Sequence, residues 1–278
     1  MKIYKTDQGI FLESKGNLYT VGQSSWDEIF HLEDAHRVLQ AQINQKNLIG
    51  PVDLLGEMHI QAPIQSQEVW AAGVTYTRSR DARMEESKSA GGGSFYDMVY
   101  DAVRPELFFK ATAYRCVGPG EKVRIRKDSS WNVPEPELTL TINSKGHIFG
   151  YTIGNDMSSR SIEGENPLYL PQAKSYDGSA ALGPCILVPP TPISPETKIH
   201  MEIKRMQSFL YSDEIAISKM KRSHTELVEF LFRECSFPLG CFLMTGTCLV
   251  PPNDFTLQPG DETIIRIDGI GELKNEVA

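Results

Sequence analysis

The sequence predicts a mostly β member of the α+β class, in two parts: a small N-terminal α+β unit over residues 1–63 and a larger domain over 64–278. Three observations predict it. Short runs of β-forming residues recur along the chain, separated by Gly, Pro and Asn. Few stretches carry helical periodicity, and two of these open on capping boxes, Ser25-x-x-Glu28 and Ser223-x-x-Glu226. Pro51 and Pro63 bracket a linker between the parts.

In chain order, Lys2–Lys5, Ile10–Glu13 and Leu18–Val21 read as short strands split by Gly9 and Gly16-Asn17. The Ser25 box opens a helix that continues through Ile29, Phe30, Val38 and Leu39. Glu68–Val74 is the first strand of the larger domain. A charged stretch with helical character follows, then Gly91-Gly-Gly93, then a second helical stretch over Phe95–Val103. Charged helices joined by three glycines suit a mobile lid over Thr75–Val103. Strands are expected at 138–142, 146–153, 183–188, 198–204, 214–218, 241–245 and 262–268, and the Ser223 box opens an amphipathic helix with Leu227, Val228, Phe230 and Leu231 on its apolar side. Met201, Met206 and Met220 read as filler for a core or an interface.

With 278 residues, 40% of them hydrophobic, the chain can bury a substantial core. A formal net charge of −8 argues against nucleic acid and anionic membrane surfaces as partners. The first residues lack the apolar centre of a signal peptide, and five scattered cysteines form no C-x-x-C, so a reduced cytoplasmic protein is expected. Six histidines form no H-x-H or H-E-x-x-H pattern, which removes the usual zinc arrangements.

The chemistry is concentrated between Pro134 and Pro184. Residues two apart on a strand share a face, so Leu138, Leu140 and Ile142 take one side. Glu137, Thr139 and Thr141 take the other, and Glu135 continues it. Two carboxylates a few ångströms apart repel unless a proton or cation lies between them. A third, Asp156, ends the next strand-like run. An all-oxygen set of this kind suits Mg²⁺ or Mn²⁺.

Several motifs are similar in content and order to those of the fumarylacetoacetate hydrolase superfamily, over roughly residues 64–278. They are Glu135-Pro-Glu137 with Asp156, Pro105-Glu-Leu-Phe-Phe-Lys110, Gly154-Asn-Asp-Met-Ser-Ser-Arg160, Thr245-Gly-Thr247 and Pro259-Gly-Asp261. The resemblance implies the mixed β-roll of that superfamily's C-terminal domain and a homodimer. It also implies a metal site at Glu135, Glu137 and Asp156. Thr247 would contact a substrate carboxylate, Lys174 would reach the substrate, and Glu106 would face the metal site; Lys110 reads as structural.

Members that cleave carbon–carbon bonds carry a histidine in the lid segment, paired with glutamate to activate water. Here no histidine lies between His59 and His147, and Ser79, Arg80 and Asp81 stand in the corresponding stretch. Without an imidazole, a water-activating pair titrating near neutral pH is missing. Residues 76–86 and 163–174 look instead like the branch that dehydrates 2-keto-3-deoxy sugar acids. The expectation is therefore a Mg²⁺-dependent hydro-lyase acting on a small 2-oxo acid, with Glu106 and Lys174 moving protons and Tyr76, Ser79, Arg80 and Thr247 binding substrate. An acylpyruvate or β-diketone hydrolase, an oxaloacetate decarboxylase and a catalytically silent binding protein are the alternatives.

Overall fold

The computed structural model describes residues 1–78 and 98–278. The strands are β1 (Lys2–Thr6), β2 (Gly9–Ser14), β3 (Asn17–Thr20), β4 (Leu48–Pro51), β5 (Glu68–Gly73), β6 (Glu106–Thr112), β7 (Cys116–Val117), β8 (Lys122–Val123) and β9 (Asn132–Val133). They continue with β10 (Pro136–Ile142), β11 (Ile148–Asp156), β12 (Ser158–Ser159), β13 (Ala180–Leu187), β14 (Lys198–Arg205), β15 (Ser208–Ala216), β16 (Cys241–Met244), β17 (Glu262–Ile267) and β18 (Gly271–Val277).

Among the described residues, eleven strands form one mixed sheet in the order β4-β3-β2-β1-β13-β11-β10-β16-β5-β6, with β7 also paired to β13. The N-terminal strands join this sheet through β1, which runs antiparallel to β13 with Lys2 opposite Leu187. A second sheet has the order β15-β14-β17-β18-β8. Two apolar clusters follow from the alternation of side chains. Leu138, Leu140 and Ile142 of β10 join Met201, Ile203 and Ile265 of the second sheet. On the opposite face, Phe242 and Met244 of β16 pack with Trp26, Ile29, Phe30 and Ile186.

The centre of the large sheet is closed on both faces, so Thr139 and Thr141 are fully buried rather than half solvated. The polar face of β10 is thus a buried polar stripe, and Glu137 at its end is drawn into the interior with it.

Local expectations fared unevenly. Ser223 caps the helix His224–Leu231, accepting a hydrogen bond from Glu226 N at 3.1 Å. Ser25 makes no cap bond: the Glu28 carboxylate instead binds Ser24 through its amide and hydroxyl. The expected single helix is two, Trp26–Ile29 and Ala35–Ala41, because Asp34 starts a new one by accepting from Arg37 N at 3.0 Å. Strand β15 begins at Ser208, not 214, since Met206 and Gln207 take positive φ and turn a hairpin there. Met206 is consequently 92% exposed, while Met201 is buried as expected. No helix among the described residues is long and apolar enough to cross a membrane. Most of the Thr75–Val103 lid segment lies outside the described residues.

Candidate active site and metal centre

Strands β10 and β11 run antiparallel with Pro136 opposite Asn155 and Glu137 opposite Gly154. At their open end, Asp156 N donates to Glu135 O at 2.9 Å and Glu135 N donates to the Asn155 side chain at 3.2 Å. These bonds hold Glu135 beside Asp156, and the pleat aims Glu137 the same way. One carboxylate oxygen from each of Glu135, Glu137 and Asp156 lies within 4.8 Å of the others, and all three residues are buried. Hard-oxygen octahedra have ligand distances of about 2.0–2.1 Å. Opposed ligands are then about 4 Å apart, so small rotamer shifts close this triad around Mg²⁺ or Mn²⁺.

Three cations answer the three carboxylates. Lys174 Nζ donates to Glu135 Oε2 at 2.6 Å and to Asp156 Oδ2 at 3.1 Å. Lys110 Nζ lies 2.6 Å from Asp156 Oδ1. Arg160 Nη2 donates to Glu135 Oε1 at 3.0 Å. Lys174 and Lys110 are completely buried. Glu137 touches none of these cations in the same way; its Oε2 accepts from Gly246 N at 2.6 Å. Burial, reinforced by Asp156 and Glu135, raises the Glu137 carboxyl well above the usual carboxylate range. Burial pushes Asp156 up as well, but the Lys110 and Lys174 charges outweigh it and hold that carboxyl below its ordinary value. At Lys110 burial dominates, aided by Lys174, and lowers the ammonium despite the Asp156 contact.

Strand β6 supplies a second stripe. Its residues Phe108 and Lys110 lie at the site, Lys110 where the pairing with β5 is interrupted. Phe108 lines the same narrow cleft as Glu135, Glu137, Asp156, Arg160, Gly73 and Thr247. Lys174 Nζ lies 5.8 Å from the centre of its ring. The Glu106 carboxylate lies across Gly73 so closely that a Cβ there would stand 1.9 Å from Oε2. That oxygen is buried and has no hydrogen-bond partner among the described residues.

The Thr245-Gly246-Thr247 turn closes the far wall. Gly246 adopts φ +95°, and Thr75 Oγ1 occupies the space a Cβ would need, at 2.0 Å. From there Thr75 donates to Thr245 O at 2.7 Å, so one turn sets both the amide that binds Glu137 and the position of Thr247. Tyr76 is buried, and burial, with Cys248 and Glu137, raises its hydroxyl pKa far above the ordinary value. Ser79 and Arg80, expected to bind substrate, lie outside the described residues.

The sequence reading passed over two residues of this constellation. Lys110, read as structural, touches a triad carboxylate; the pairing of β6 with β5 is interrupted at this residue, so no strand period places it there. Arg160 stood in a quoted motif with no role assigned. It follows a strand and opens the helix Arg160–Glu165, so no periodicity predicts which way it points.

Comparison with known proteins agrees with this geometry. The fumarylacetoacetate (FAA) hydrolase C-terminal family matches residues 69–278. A probable 2-keto-3-deoxyxylonate dehydratase of Haloferax volcanii is 49% identical over 226 residues, covering 81% of this chain and 77% of the relative. A 2-dehydro-3-deoxy-D-arabinonate dehydratase of Saccharolobus solfataricus is 42% identical over 221 residues, covering 79% and 74%. The solved structure of a 2-keto-3-deoxy-D-arabinonate dehydratase complexed with magnesium and 2,5-dioxopentanoate superposes with a TM-score of 0.82 at 33% identity, over 100% of this chain and 98% of that one. With the family matched over three-quarters of its length, the chain belongs to the fumarylacetoacetate hydrolase family.

Proposed function

We propose that this protein is a Mg²⁺-dependent hydro-lyase that removes water from a 2-keto-3-deoxy pentonate and yields 2,5-dioxopentanoate. One observation carries the reading: a buried lysine amine borders a triad of hard-oxygen ligands, and among the described residues no histidine lines the cleft. The names borne by the relatives at 42% and 49% identity support it.

Glu135, Glu137 and Asp156 hold the cation, which when bound supplies the Lewis acidity that makes C3–H of a 2-oxo acid removable. Arg160 and Thr247, both on the cleft wall, bind the substrate carboxylate. Lys174 and Glu106 share the proton work. One takes a proton from C3 while the other delivers one to the C4 hydroxyl, which leaves as water. The remaining unsaturated acid keeps its C5 hydroxymethyl group. A proton then leaves C5 and one returns to C3, and the resulting C4–C5 enol ketonises to the aldehyde. The net change is loss of one water. Hydrolysis would additionally need a base to aim water at a carbonyl carbon, and the cleft offers no imidazole for it.

The two relatives' sugar names converge on one chemistry. Removing water across C2 and C3 of a pentonate erases both stereocentres there. The xylonate- and arabinonate-derived acids of the D series therefore retain only C4 and are one compound. We take that compound as the substrate. We also take the protein to act in the cytoplasm as a homo-oligomer, with residues 1–63 as a small accessory domain and 64–278 as the catalytic one. The five unbridged cysteines are consistent with a reducing compartment.

The test is incubation with Mg²⁺ and a panel of 2-keto-3-deoxy pentonates of both C4 configurations, acylpyruvates and oxaloacetate, with products identified by mass. 2,5-Dioxopentanoate from a keto-deoxy acid is the expected result. Cleavage of acylpyruvate to pyruvate, with every keto-deoxy acid untouched, would make the protein a hydrolase instead.

A further inference from the structure

We propose that Lys110 is a positioning residue that sets Asp156 and Lys174 relative to one another; the proposal rests on the reading of the triad as a cation site. The Lys110 side chain is completely buried in the wall behind the carboxylates, on the strand that also carries Glu106 and Phe108. Its ammonium makes two hydrogen bonds and one ion pair. The ion pair reaches Asp156 Oδ1 at 2.6 Å. One hydrogen bond is donated to the carbonyl of Met157, the next residue in the chain, at 2.9 Å. The other is donated to the carbonyl of Lys174. Ser175 answers from the other side: its hydroxyl donates to the carbonyls of Lys110, at 2.9 Å, and Phe109, at 3.2 Å.

The segments so joined are distant in sequence. Asp156 ends β11, Lys174 ends the short helix Leu170–Lys174, and Lys110 lies in β6. That helix spans five residues, too few to hold its own last turn rigidly in water. Its last residue nevertheless aims an amine at two carboxylates. The Lys110–Lys174 and Ser175–Lys110 bonds supply what the helix lacks, a backbone anchor at the residue whose side chain works. The same ammonium fixes which Asp156 oxygen is turned away from Lys174: Oδ1 faces Lys110 and Oδ2 faces Lys174. A metal ligand whose outer partners are removed loses orientation, typically at a cost of 10–100-fold in affinity or rate.

A counter-charge and a positioning group predict opposite effects on cation binding. Deleting a mere positive charge beside the triad would tighten a divalent cation. Deleting the group that orients Asp156 would weaken it. The experiment is a Mn²⁺ titration of the full chain followed by electron paramagnetic resonance, for wild type, Lys110→Met and Lys110→Gln, with folding checked by circular dichroism. The Gln variant keeps one donor of shorter reach and guards against a Met variant that does not fold. The expected result is a Kd for Mn²⁺ raised roughly 10–100-fold in Lys110→Met and less in Lys110→Gln, with a broadened bound-Mn²⁺ spectrum in both. At saturating Mn²⁺, kcat falls by at least tenfold while KM for the 2-oxo acid moves less. Mn²⁺ bound by either folded variant as tightly as by wild type, with an unchanged spectrum, overturns the proposal and leaves the triad intact. A wild-type chain that takes up no Mn²⁺ removes the cation site and the proposal together.

Discussion

The carboxylate of Glu106 rests in the space a side chain at residue 73 would fill: a Cβ on Gly73 would stand 1.9 Å from its Oε2 and 2.5 Å from its Cδ. The two residues are direct partners across β5 and β6. Glycine at 73, itself part of the cleft wall, therefore does more than permit a backbone shape; it makes room for the acid beside it.

Gly73→Ala tests that directly. The obstructed atoms are the far end of a flexible side chain, so Glu106 can swing aside and stability should change little. Turnover should fall by about two to four orders of magnitude, the usual worth of a displaced acid–base group. Glu106→Gln should show a similar loss, and the double variant little more than either alone, because both remove one function. Additive losses would mean that Gly73→Ala acts otherwise than through Glu106; full activity in Glu106→Gln would place Glu106 outside the reaction. The readouts are kcat for dehydration and the urea midpoint.

Glu137 should be indispensable for cation binding. It bears the least cationic compensation of the triad, and its carboxyl is held high by burial and by its two acidic neighbours. A divalent cation relieves that repulsion and should stabilise the fold. At about a hundredfold excess over Kd, mass action gives roughly 2.7 kcal/mol. Thermal unfolding with Mg²⁺ and with chelator should separate clearly for wild type and coincide for Glu137→Gln. A Glu137→Gln protein that keeps the Mg²⁺-dependent shift contradicts the ligand assignment.

Lys174→Met should abolish dehydration while Mn²⁺ still binds. The amine contacts Glu135 and Asp156 but a methionine repels neither, and one positive charge fewer beside the triad favours a dication. Loss of activity with tighter or unchanged Mn²⁺ binding, read by calorimetry, is the expected pattern. Loss of Mn²⁺ binding would instead give Lys174 a structural part.

Stability should also respond to acid through His224, the first residue of the helix His224–Leu231. This residue packs against Tyr151 with ring centroids 6.1 Å apart, and burial lowers its pKa from 6.5. The sign follows from which state binds the proton. Above pH 6.5 both states are neutral there and the residue contributes no slope. Below it the unfolded chain protonates first, so the folded state loses ground as pH falls, by at most about 1.4 kcal/mol per pH unit. Replacing His224 with Gln should flatten the fall in urea midpoint between about pH 6.5 and pH 5. An unaltered slope would assign the acid sensitivity elsewhere.

Much of this protein could be read in one dimension because its determinants are local. The two-residue period of β10 separates Leu138, Leu140 and Ile142 from Glu137, Thr139 and Thr141, and the fold keeps those faces apart. The Ser223 cap needs only residues three apart, and it forms, with the Glu226 carboxylate accepting from Arg222. The Ser25 box is as good a local pattern and fails, since Ser24 takes the Glu28 carboxylate. Local chemistry there offers two solutions within a fraction of a kilocalorie, and packing selects one. The site divides the same way. Glu137 and Asp156 lie on neighbouring antiparallel strands and Glu135 directly precedes the first, so register and the bonds of Glu135 to Asn155 and Asp156 bring them together. Lys110 against Asp156, Lys174 against Glu135 and Thr75 against Thr245 join residues 46, 39 and 170 positions apart. No side-chain period reaches across such gaps. Those contacts exist only once β6, β10 and β16 lie in one sheet and its core excludes water, and that exclusion is what turns lysines from solvated surface groups into buried partners of the triad.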